Sequence, residues 1–157
     1  MNKKQLVESI IRHLSTEMEL IAHAAKSAHD EATHDEELHK NQFETPGLET
    51  SVLAEGQVKV AAELREAVEA FRALPLHDFA PDEAIGSSAL VETEVEGEKS
   101  LYFVGPKAGG LEVELDAVTV FVITPHSPLG AQLIGRRSGE LLPSVAGRPP
   151  VRLVSVQ

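Results

Sequence analysis

The sequence predicts an α+β protein: a long antiparallel helical hairpin followed by a small antiparallel β domain carrying one short helix. Three observations predict it. Apolar residues recur at helical spacing over the first seventy residues, a Pro-rich break follows at Leu74–Pro81, and beyond it the composition turns to Val, Thr, Gly and Pro. The expected division is therefore a helical domain over residues 1–74, a linker over 75–81 and a β domain over 82–157.

The first helix is expected from Lys3 to His39. Leu6, Ile10, Leu14, Met18, Ile21, Ala25, Ala28 and Ala32 are spaced by three or four and keep one stripe on one face. At 1.5 Å per residue such a helix is a rod of roughly 55 Å. Pro46-Gly47 supplies a turn, and a second helix is expected from Leu48 to Leu74 with its stripe through Val52, Leu64, Val68 and Phe71. A rod with one apolar stripe is not stable alone in water, so the second helix is expected to fold back on the first.

Beyond Pro81, strands are expected over Ser88–Glu96, Leu101–Val104, Val118–Ile123, Glu140–Val145 and Val151–Val156. Glu96-Gly97-Glu98-Lys99 reads as a turn and Gly105–Gly110 as a loop. Ser127 before Pro128 has the form of an N-cap and first helical residue, with Gly135 as the stop of a helix over Pro128–Ile134.

Composition narrows the function. The 157 residues carry a formal charge of −11, with 14 acidic against 8 basic residues in 1–74 and 11 against 6 in 75–157. Neither half has the basic field that direct DNA or RNA binding requires. A basic protein partner or a cation suits the charge better. The absence of cysteine excludes disulfides and thiolate chemistry. The start lacks the apolar core of a signal peptide and no stretch reaches the length of a membrane span, so a soluble, cytoplasmic protein is expected, without membrane contact.

One run stands out on the first helix. In His29-Asp30-Glu31-Ala32-Thr33-His34-Asp35-Glu36-Glu37-Leu38-His39, the pairs Asp30/His34 and Asp35/His39 are four apart and can share a face. Such pairs suit a divalent metal. The three histidines are five apart and rotate around the helix, so a solvated acidic helix end is the simpler reading. No Walker lysine and no Ser/His/Asp order appears.

The segment Val122–Glu140, reading VITPHSPLGAQLIGRRSGE, carries a family resemblance. A hydrophobic strand runs into Ser-Pro, an Ala/Leu-rich helical turn, Gly with basic residues, then Gly and an acid. Upstream stand Ile85-Gly86-Ser87 and Leu101-Tyr102-Phe103-Val104-Gly105. In these motifs, and in their order after a helical hairpin, the chain resembles the bacterial Gre family of transcript-elongation factors over almost its whole length. The resemblance implies an FKBP-like C-terminal domain that holds RNA polymerase near its secondary channel, with His126, Ser127, Pro128 and Leu129 as the contacts. It also implies a hairpin tip whose acids help hold a catalytic Mg²⁺ while the polymerase hydrolyses backtracked nascent RNA. No cofactor is then expected on the chain alone; it lends carboxylates and is not itself an enzyme. The tip departs from the family. Glu44 matches the first acid, the second falls on Gly47 in an ungapped alignment, and Glu49 is the nearest carboxylate. That departure opens a second reading, a polymerase-binding regulator without cleavage activity. A divalent-metal-binding protein using the His/acid run is a third. Peptidyl-prolyl isomerase activity would need an aromatic-lined pocket, and residues 75–157 offer only Phe79, Tyr102, Phe103 and Phe121.

Overall fold

The computed structural model describes residues 1–38, 46–143 and 145–157, and for residues 25, 28–38 and 46–54 it describes the backbone alone. The fold is α+β: a helical N-terminal part with a long first helix, then a five-stranded, mostly antiparallel sheet with one short helix. The elements are α1 (Lys3–Leu38), α2 (Pro46–Arg72), β1 (Leu90–Val95), β2 (Glu98–Val104), β3 (Glu112–Leu115), β4 (Val118–Ile123), α3 (Pro128–Leu133) and β5 (Arg152–Val156). Two compact units emerge, one of Met1–Ile10 with Ala70–Gln157 and one of Ile11–Glu69.

Both long helices form where the apolar period places them. Pro46 and Gly47, expected as a turn before α2, are instead its first two residues. The N–H that proline lacks has no partner in a first helical turn anyway, and its fixed φ suits that position. In the unit that holds the sheet, Leu6, Ile10 and Phe71 are buried. A Cβ on Gly105 would lie 2.8 Å from the Phe71 ring and 3.2 Å from Val122, so this glycine lets the end of α2 seat closely on the sheet.

The sheet order is β3-β4-β2-β1-β5. Three of its four pairings are antiparallel; β2 and β4 run parallel, because β3 is added outside β4 between them in the chain. The β1–β2 hairpin turns through Glu96 and Gly97 at φ 51° and 86°, the left-handed pair of a tight two-residue turn. β3 was not among the expected strands. Among the described residues of the strand expected at Glu140–Val145, the pairing is one isolated bridge, Leu141 to Arg152. Ile85, Val91, Val104, Ile123, Leu133 and Leu153 form the centre of the core on the face of the sheet that α3 covers. Among the described residues no helix is long and apolar enough to cross a membrane.

Candidate functional site

The four residues expected to make contacts, His126 to Leu129, fall together at the start of α3. Ser127 is the N-cap at extended φ and ψ of −67° and 154°. Its hydroxyl donates to the Thr124 carbonyl (2.7 Å) and accepts from the Gly130 N–H (3.1 Å). Its carbonyl accepts from Ala131 N–H at 2.9 Å. Pro128 follows at the first helical position, so the cap expected from Ser-Pro is present. Gly135 stands just past the helix at φ 82°, the left-handed stop that glycine allows.

Two residues fix this turn from beneath. Gly130 is buried, and a Cβ there would lie 1.8 Å from the Thr124 carbonyl oxygen, a distance no side chain can hold. Leu133 is fully buried in the core, and Leu129 rests half-buried against it. Beyond the helix, Gly135 N–H donates to Ile85 O (2.9 Å) and Ile85 N–H to Arg136 O (2.8 Å), tying the end of α3 to the segment before β1. His126 and Pro128 are left exposed, with Ser127 half-buried between them. A shallow groove of about 230 Å³ runs beside the turn, lined by Pro128, Leu129, Gln132, Leu142, Pro143, Val145, Arg148, Pro149 and Val151. Its lining is mostly aliphatic and proline, with no aromatic ring. The turn is thus a capped, anchored and partly apolar surface suited to contact with a protein, and it brings no nucleophile or paired carboxylate together.

Glu44 lies outside the described residues, and Glu49 falls in α2 where only the backbone is described. His29 and His34 lie in α1 under the same condition, and His39 lies outside the described residues. Among the described residues no group of three or more His, Asp or Glu is placed to hold a metal ion.

Two clusters escape a reading of the sequence alone. The first is built on Lys3, which is buried, donates to the carbonyls of His77 and Ser88 (the latter at 3.3 Å), and lies 5.0 Å from the Phe79 ring centroid. Ser88 is itself buried at φ 66°, and its hydroxyl accepts from His77 N–H at 3.0 Å. Glu83 accepts from Ala80 N–H (3.0 Å) and meets the His77 ring at 2.6 Å. Burial pushes the Lys3 ammonium below its ordinary pKa, against the opposing pull of Asp78 and Glu83. These bonds clamp residues 77–88 to the first turn of α1; the only sequence signal was a lysine at a helix start, which reads as solvated.

The second cluster lies across the sheet. Glu92 accepts from Lys99 (2.7 Å) and from the Ser155 hydroxyl (3.1 Å). The Lys99 bond is the main cause that holds the Glu92 carboxyl below the usual range, and Glu92 in turn raises Lys99. The three line a trough of about 510 Å³ with Leu90, Leu101 and Val118. Both bonds converge on Glu92, which fits a structural ion pair at the surface of the sheet.

No protein-family model matches the chain. No curated protein matches it either. Among solved structures the chain is similar to the GreA factor homolog 1 (Gfh1) protein of Thermus thermophilus, at 19% identity over 94% of each chain with a TM-score of 0.38. It is similar to Gfh1 of Thermus aquaticus at 19% identity, over 93% of this chain and 92% of that one, with a TM-score of 0.37. The prokaryotic transcription elongation factor GreA/GreB from Nitrosomonas europaea is 19% identical over 66% of this chain and 89% of its own, with a TM-score of 0.36.

Proposed function

We propose that this chain is a Gre-type transcription factor that docks on RNA polymerase near its secondary channel through the turn at the start of α3. One observation carries the reading. The segment with the Gre-like signature folds into a turn that Ser127 caps, Gly130 and Leu133 anchor, and His126 and Pro128 top with exposed surface beside a groove. The acidic chain is suited to a protein partner and unsuited to direct DNA binding, so nascent RNA is reached only through the polymerase.

In this reading Glu44 and Glu49 are lent to the polymerase active site in trans, and the chain has no catalytic activity alone. Their carboxylate oxygens are the hard donors that Mg²⁺ takes. When bound there, the ion supplies an activated water and steadies a leaving oxygen. A second reading, a polymerase-binding regulator without cleavage activity, is favoured by the loss of the family's second acid at Gly47, which stands in the first turn of α2.

The deciding experiment is RNA cleavage in a stalled, backtracked elongation complex with the cognate polymerase and Mg²⁺. Shortened transcripts that resume elongation, lost on Glu44→Gln with Glu49→Gln, support the first reading. Binding by co-sedimentation without shortening supports the second. Pro128→Glu, a change at an exposed site, should weaken co-sedimentation about tenfold or more at an unchanged melting temperature. Equal binding by this variant and its parent would remove the α3 turn from the interface.

A further inference from the structure

Strand register sets up a second surface that uses none of the residues of α3. Glu112 is opposite Phe121 across β3 and β4, and Phe121 is opposite Tyr102 across β4 and β2. Opposed residues share a face of a sheet. Glu112, Phe121 and Tyr102 therefore form one row, and Glu114 lies opposite Thr119 in the next. The two rings are neighbours, with centroids 5.7 Å apart and planes tilted by 34°. Tyr102 backs onto the core, yet both rings are only half-buried. β3 ends the sheet, and Glu112 and Glu114 are exposed on it.

Carboxylates on an edge strand discourage pairing with other strands. That accounts for two acids on β3. It does not account for two adjoining, solvent-reaching rings in a chain whose residues are only 4% aromatic. Ring faces beside carboxylates are the chemistry that holds a guanidinium: the planar cation stacks on the rings while its N–H groups bond the carboxylates. Lysine, a compact and strongly hydrated charge, uses the rings less well. The same acids repel a phosphate backbone.

We infer that the row Glu112–Phe121–Tyr102, with Glu114 beside it, is a docking surface for an arginine-bearing segment of a partner protein. The inference does not depend on polymerase binding, so the two stand or fall separately. The test titrates the full chain with an acetylated, amidated peptide of alternating glycine and arginine, followed by backbone amide chemical shifts. Shifts are expected to concentrate at residues 101–103, 112–115 and 119–121. Affinity should fall roughly three- to tenfold in the double variant Glu112→Gln/Glu114→Gln, in Phe121→Leu, and for the same peptide with lysine in place of arginine. The glutamine variants alter only exposed side chains and leave the fold intact. Absence of shifts in these strands, equal shifts around Glu94, Glu96 and Glu98, or full affinity in Phe121→Leu would each overturn the proposal.

Discussion

Successive turns in the first half of α1 carry the same apolar period and meet different fates. Leu6, Ile10 and Leu14 are buried almost completely, whereas Met18 and Ile21, next on the same stripe, are half-exposed, and Leu20 is 67% exposed. Periodicity decides that a helix forms and which face is apolar; it does not decide what that face meets. A contrast of the same kind recurs on a smaller scale in α3, where Gly130 and Leu133 are buried beneath exposed His126 and Pro128.

The sharpest way to break this contrast is to remove equivalent side chains from two points on this stripe. Ile10→Ala should destabilise the chain by about 2–5 kcal/mol, because a fully buried isoleucine leaves a cavity. Ile21→Ala should cost about 1 kcal/mol or less, and Leu20→Gln should lie within about 0.5 kcal/mol of the parent. Urea denaturation of the three variants measures this directly. Equal losses at Ile10 and Ile21 would mean that the stripe is buried along its whole length.

What the sequence made legible follows from this distinction. Local signals were sufficient for both long helices, for the Ser127–Pro128 cap, for the Gly135 stop and for the Gly97 turn, because each is decided by a few neighbouring residues. β3 was missed because four residues, Glu112–Leu115, give little alternation to count, and because its turn into β4 uses Asp116 and Ala117 at positive φ without glycine. The parallel β2–β4 pairing was missed since nothing local specifies it. The strand expected at Glu140–Val145 has apolar residues, but its described residues make one bridge to β5, an outcome set by the partner and not by the segment. At the site, the Ser127 cap, Pro128 at the first helical position and the Gly135 stop were legible. Gly130 was not, since its role rests on the Thr124 carbonyl six residues away. The Lys3 clamp was not legible either, since it joins residues more than seventy apart.

A middle-sized effect sharpens the contrast within α3. Ser127→Ala removes the hydroxyl that accepts from Gly130 N–H and donates to Thr124 O, so a loss of about 1 kcal/mol is expected. Pro128→Ala, at the exposed first position of the same turn, should cost less. Thermal melts of the pair test whether the turn is held by its cap or by its proline.

The smallest expected effect concerns the sheet face that α3 does not cover. Lys99 and Ser155 hold the Glu92 carboxyl below its ordinary range, so the folded state binds that proton less readily than the unfolded chain. The sign follows from linkage: the stabilisation is present above the unfolded carboxylate pKa of about 4.3 and is lost as pH falls through the lower, folded value. Because the group is partly solvated, solvent screening keeps the effect small. Melting temperatures of the parent and of Glu92→Gln, measured from pH 7 down to pH 3, should therefore converge as the pH drops below about 4. A constant difference across that range would show that Glu92 acts through its packing and its Ser155 bond, with its charge contributing nothing.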